Sequence, residues 1–242
     1  VEGKYFHIWI KGEHTLDVSA FIEKAKLYTL EQFKVFGEFD SEDFHYLFIF
    51  LPTKVRHGVE HSRSTVIISG PGEEMEKTEK LNDLLAISSH ELFHFWNVKR
   101  IRPLDMWPYD YTKENYSKLG YVYEGITTYY GDYMLLRSGA FDFEEYSKEL
   151  SSDVQRHFEN EGRYSYSVAE SSFDTWLDGY TPGVPGRKVS IYVEGMLAAL
   201  MLDRPTTHGR FITFEGGEGV GKSTQVKRVV AALNQRSIQA VR

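Results

Sequence analysis

The residues best placed to do chemistry are His90-Glu91-Leu92-Phe93-His94, an H-E-x-x-H pentapeptide. On a helix, residues four apart lie on one face, so the two imidazoles can converge on one metal ion. Neutral imidazole suits zinc, and Glu91, one position after His90, can reach a water on that metal and act as its base. That is the chemistry of peptide-bond hydrolysis. A histidine pair on a solvated amphipathic helix would show the same five letters, so the pentapeptide needs support from the rest of the chain. A tetrahedral catalytic zinc takes a third protein ligand and keeps one open position. Glu124 can supply that ligand from the next helix. It opens the stretch EGITTYYGD (124–132), in which Gly125 lets another backbone approach closely.

A second, unrelated signal lies near the C-terminus. Gly216 to Ser223 (GGEGVGKS) fits G-x-x-x-x-G-K-[ST], after one strand and before one helix. Backbone N–H groups of Gly216, Gly219 and Gly221 would cradle phosphate, with Lys222 on the terminal phosphates and Ser223, followed by Thr224, at Mg²⁺. ATP with Mg²⁺ is the ligand this loop implies.

These motifs need elements to hold them. Residues 4–10, 44–51 and 64–69 read as strands, and 52–63 as a polar loop. Residues 17–36 read as a helix closed by Gly37. A helix over 78–97 presents Leu81, Leu84, Leu85, Leu92, Phe95 and Trp96 to a core, with Pro103 and Pro108 as its stop. A helix over 119–138 is closed by Arg137 and Gly139. Another starts at Asp142 with a capping box to Glu145 and a buried stripe of Tyr146, Leu150, Val154 and Phe158. Residues 162–188 read as loop and short elements, and about 190–203 as a further helix. Arg204 to Gly209 is the junction, followed by a strand at 210–215 and a helix from Lys222 to about Asn234.

The 242 residues carry 35 Asp plus Glu against 28 Lys plus Arg, a net charge of −7. That balance argues against a nucleic-acid or anionic-membrane partner. With no cysteine, disulfides, zinc–thiolate sites and cysteine nucleophiles are excluded. No apolar run has the length of a membrane span, and no signal peptide is visible. A cytoplasmic location is expected. The chain begins with Val1 and is expected to lack its original N-terminus.

The stretch 89–103, SHELFHFWNVKRIRP, resembles the signature of the glycyl aminopeptidase family of zinc metallopeptidases. The likeness continues through Glu124-Gly125, through SVAESSFDTWLDGY (167–180) and through SIYVEGMLAALMLD (190–203). It implies an α+β, thermolysin-like gluzincin catalytic domain, with a strand-rich upper part (1–76) and a helical metal-site part (77–203). It further implies that Zn²⁺ is held by His90, His94 and Glu124, that Glu91 is the general base, and that Tyr192 hydrogen-bonds the oxyanion. The segment HGVEH (57–61) resembles the family's Gly-x-Glu segment on an edge strand. Gly58 would then line the cleft and Glu60 would pair with the substrate's free α-amino group, although His57 stands where that family has Gly. The implied substrate is a peptide with a free N-terminus and a small first residue, Gly or Ala. Lys99, Arg100 and Arg102 are read as ion pairs or a solvated face rather than catalytic groups.

The stretch 209–225, GRFITFEGGEGVGKSTQ, resembles the N-terminus of thymidylate kinase, over about residues 207–242 only. One strand and one helix cannot bury a core alone, so no kinase activity is expected of 210–242. The chain is expected to be a chimera whose peptidase-like part lacks its preceding β-rich domain and its later helices. Two alternatives remain open: a nucleoside monophosphate kinase-related ATP-binding protein, or an inactive fragment.

Overall fold

The computed structural model describes residues 1–178, 184 and 186–203; the glycine-rich loop, Gly216 to Thr224, lies outside them. Four strands form one mixed sheet: β1 (Tyr5–Lys11), β2 (Asp43–Phe50), β3 (Val55–Glu60) and β4 (Ser64–Gly70), in the order β1-β2-β4-β3. The β1–β2 and β2–β4 pairs are parallel, and β3 runs antiparallel to β4 with Gly58 opposite Ile67. Helix α1 (Val18–Phe36) makes the crossover between the parallel β1 and β2. It starts at an Asp17 side-chain cap and ends at Gly37, whose φ of 76° is the left-handed conformation that glycine adopts without a Cβ penalty.

The β2 sequence sends Phe44, Tyr46, Phe48 and Phe50 to one buried face. Ile67 of β4 extends that face, and Phe21 and Tyr28 of α1 with Leu84 and Leu85 of the next helix belong to the same core. Burial of each such side chain contributes roughly 2 kcal/mol. Tyr28 and Tyr46 hydrogen-bond to each other at 3.1 Å inside this layer, so neither hydroxyl is orphaned. Phe39 stacks on Phe95 at 3.9 Å and Phe36 on Trp96 at 4.5 Å, which ties α1 and the chain beyond it to the end of the metal-motif helix.

The helices follow: α2 (Thr78–Phe93), a widened π-type turn at Tyr121–Gly125, α3 (Ile126–Ser138), α4 (Phe143–Glu159), two short helices α5 (Val168–Phe173) and α6 (Thr175–Asp178), and α7 (Ile191–Asp203). Helix α2 lies between the sheet, where it meets β3 and β4, and α3.

Four expectations change. The polar stretch 52–63 is not all loop: Val55–Glu60 is a strand, and its polarity is that of an edge with one side open. Helix α2 ends at Phe93, ten residues before Pro103, because the chain beyond it turns differently. The N–H groups of Val98 and Lys99 both bond to His94 O, and Asn97 O is taken by the His94 ring. The helix expected over 119–138 begins as the π-type turn and becomes regular only at Ile126. In α4 the capping box forms as expected, but Phe158 is exposed and the one buried residue is Asp153. That helix turns a polar face towards a cleft.

Candidate metal centre

His90 and Glu91 lie in the last turn of α2, and His94 is the residue that caps it. Its φ of −61° and ψ of −18° are still helical, and its N–H bonds to His90 O at 3.2 Å. The four-residue stacking therefore survives beyond the formal end of the helix. His90 Nε2 and His94 Nε2 are 3.0 Å apart, and Glu124 Oε2 is 3.3 Å from each. Two ligands at 2.0–2.1 Å from a tetrahedral zinc would be separated by about 3.3 Å.

The hydrogen bonds around these atoms fix where their protons sit. His94 Nδ1 is 2.7 Å from Asn97 O, and a carbonyl can only accept. Nδ1 thus carries a hydrogen, which leaves Nε2 as the position open to a metal or a second proton. Thr128 Oγ1 donates to Glu124 O at 3.0 Å, which leaves it free to accept from His90 Nδ1 at 3.4 Å. Two nitrogen lone pairs and a carboxylate oxygen within 3.3 Å repel one another unless a cation lies between them. The donor set fits a divalent, zinc-like ion.

The electrostatics agree. Burial alone would raise Glu124, but the two histidines bring its pKa down to about 2. Burial lowers His90. Burial would also lower His94, yet Glu124, Glu91 and Glu60 together push it up to about 9. Without a metal, a proton takes the cation's place on His94.

Glu91 points from α2 under the edge strand. Its Oε2 is 3.4 Å from Thr65 Oγ1, and burial raises its pKa to about 8 against a partial offset from His94. Gly58 leaves the room for it: a Cβ there would lie 2.2 Å from Glu91 Oε1. Glu60 is two residues further along β3, where its carboxylate, that of Glu91 and a His94 ring nitrogen come within 4.8 Å of one another. Lys99 Nζ pairs with Glu60 Oε1 at 3.0 Å. Arg100 pairs with Asp40, and Arg102 lies over the Trp107 ring at 4.2 Å. Lys99 and Arg100 are thus in ion pairs, as expected, while Arg102 makes a ring contact instead. The Tyr192 ring centroid is 6.1 Å from that of His90.

Two backbone crossings hold these pieces together. A Cβ on Gly125 would lie 2.3 Å from Gly195 Cα, so the π-type turn and α7 meet backbone to backbone. This brings the Glu124 element against the Tyr192 element. A Cβ on Gly131 would lie 3.1 Å from His90 Cα, and Ser89 Oγ donates to Gly131 O at 2.6 Å, which seats α3 directly on α2.

Residues 83–198 match the M61 glycyl aminopeptidase family model. The resemblance drawn from the sequence is confirmed over that stretch, which holds His90, Glu91, His94, Glu124 and Tyr192 but not Glu60. A crystal structure of an aminopeptidase N family protein from Idiomarina loihiensis is similar at 31% identity and a TM-score of 0.74. That similarity covers 81% of this chain and 35% of the other. Short segments match thymidylate kinases: 49% identity over 45 residues in Bradyrhizobium sp. and 67% over 33 residues in Rhizorhabdus wittichii. These are 19% and 14% of this chain, and the chain spans only 20% and 16% of the two kinases. Likeness to two unrelated families is what a chimera gives.

All the peptidase-type residues named from sequence line one cleft of about 560 Å³: Gly58, Glu60, His90, Glu91, His94, Glu124 and Tyr192. The cleft extends to Asp83, Asp132, Glu149 and Asp153, with Arg56 and Arg156. Sequence reasoning missed this carboxylate-lined extension and the supporting residues Asn97, Thr128, Thr65 and Gly131. Asn97 was the most legible of them, since it follows the motif within three residues. Its amide donates to Thr127 Oγ1 at 3.1 Å and to Val122 O at 3.3 Å, which joins the second histidine to the turn bearing Glu124. Among the described residues, no helix is long and apolar enough to cross a membrane.

Proposed function

We propose that this chain carries the catalytic centre of a zinc-dependent aminopeptidase of the gluzincin type, which removes small N-terminal residues such as Gly or Ala from peptides. One observation carries the reading: three metal-competent atoms lie within 3.3 Å of one another with a buried carboxylate, Glu91, alongside them in one cleft. His90, His94 and Glu124 would hold the zinc, and zinc, when bound, supplies the Lewis acid for water and for the scissile carbonyl.

The remaining roles belong to the chain's own side chains. Glu91 accepts the proton of the attacking water at a carboxylate oxygen and then delivers it to the departing amine. Tyr192 donates its phenol hydrogen to the carbonyl oxygen as negative charge develops there. Glu60 pairs with the α-ammonium of the substrate. An internal peptide bond brings no cation to offset the desolvation of that carboxylate, which favours removal of terminal residues. Strand alternation supports these roles: Gly58 and Glu60 lie on one side of β3, two residues apart, beside Glu91.

The test is elemental analysis of the purified 242-residue chain, followed by hydrolysis of glycyl and alanyl anilides with and without a chelator. About one zinc per chain and chelator-sensitive release are expected. Metal-free protein, or cleavage that a chelator does not touch, would overturn the reading.

A further inference from the structure

We propose that Lys99 is the resident counter-ion of Glu60 and sets how tightly the cleft takes a substrate α-ammonium. The inference rests on the reading of Glu60 as the amine anchor and adds the residue that tunes it.

Lys99 Nζ lies 3.0 Å from Glu60 Oε1, and both side chains are about a quarter exposed. The lysine is fixed at its base. Its N–H donates to His94 O at 3.1 Å and its carbonyl accepts from Arg102 Nε at 2.9 Å. The ammonium therefore starts from the turn just after the second histidine and crosses to the edge strand. Glu60 in turn lies beside Glu91 and His94 in the cleft. The free cleft thus already holds, on its amine-binding carboxylate, a group of the same chemical kind as the one the substrate brings. The two arginines that follow Lys99 are engaged elsewhere: Arg100 is on Asp40 and Arg102 is over Trp107.

An arriving amine must share Glu60 with Lys99 or displace it. Either way, part of the attraction of that carboxylate is already neutralised. Lys99 is a positioning and tuning residue. It acts through Glu60 and touches no reacting atom.

The test compares the wild-type 242-residue chain with Lys99→Met, Lys99→Arg and Lys99→Met/Glu60→Gln. Binding of glycinamide is read by calorimetry, and kcat and KM are read for alanyl and N-acetylalanyl anilides. Lys99→Met should bind glycinamide about fivefold more tightly and lower KM for the free-amine substrate to match, the scale of one partly exposed ion pair. Its kcat should be unchanged and N-acetylated substrates unaffected. Lys99→Arg should behave as wild type, and Glu60→Gln should erase the gain. A merely structural lysine would instead lower the melting temperature and leave the free-amine preference alone. If Lys99→Met binds glycinamide no more tightly while wild type binds it through Glu60 and cleaves, the role of Lys99 is overturned. If wild type shows no Glu60-dependent glycinamide binding, the amine-anchor reading fails and this one falls with it.

Discussion

Glu124 and Asp132 stand eight residues apart on one helical stretch and line the same cleft, yet they are held in opposite states. Burial raises both. Glu124 faces two imidazoles at 3.3 Å and comes down to about 2. Asp132 faces Asp153 and Glu149, with only partial relief from Arg56 and Arg156, and rises to about 7. Identical chemistry in one cavity is thus split by partners rather than by depth. The histidine side of the cleft keeps a charge that a cation can use. The side with Asp153 and Glu149 favours a carboxylate that gives its charge up.

The sharpest way to break this contrast is to remove the charge of Glu124. Glu124→Gln should lose zinc, with affinity down by roughly a thousandfold or more, and should lose hydrolysis with it. Asp132→Asn in the same assay should retain zinc. If the two variants hold equal metal, the contrast has no functional content.

Glu91→Gln should come next in size. Zinc should stay bound while kcat falls by about 10²–10⁴-fold, the scale of a general base. Elemental analysis and turnover, read together on one preparation, check this, and retained turnover removes the base assignment.

The third effect is a pH dependence of zinc uptake. In the metal-free protein His94 keeps a proton up to about pH 9, and zinc needs the lone pair that this proton occupies. Uptake therefore releases a proton, and apparent affinity should rise about tenfold per pH unit between 6 and 8, flattening near 9. Competition titrations with a chelating dye would measure it. A flat profile would contradict the proton's placement.

The smallest effect concerns Asp132. Because folding raises the Asp132 pKa from an ordinary 3.8 to about 7, its contribution to stability falls as pH rises between those values and is flat above. Asp132→Asn removes that decline. At pH 8 the variant should melt about 2–4 °C above wild type, on the order of 1 kcal/mol, with no gain at pH 4. Thermal scans at the two pH values decide it.

Much of the frame was legible in sequence because its signals are local. The capping box at Asp142 and Glu145, the caps at Gly37 and Gly139, and the apolar, aromatic run at 44–51 depend on neighbours a few residues away. The end of α2 was not legible. Asn97 O bonds to a ring and a hydroxyl instead of continuing the helix, and one of those partners, Thr127, is thirty residues away. The edge strand β3 was masked for a related reason. Its polar face is polar because it borders a cleft, and composition alone cannot tell a cleft edge from a loop.

The sequence by itself determined the chemical kind of the site. Two imidazoles four apart with a carboxylate between them, and a Glu-Gly step further along, are properties of residue type and helical period. It also exposed a second resemblance, to thymidylate kinases, over a short segment. Tertiary structure decided which carboxylate meets which cation. Glu124 reaches the histidines because Gly125 and Gly195 let two backbones touch, Glu91 has room because Gly58 has no side chain, and Glu60 meets Lys99 from a separate element. Charges act through distance, and only packing sets distances between residues far apart in the chain.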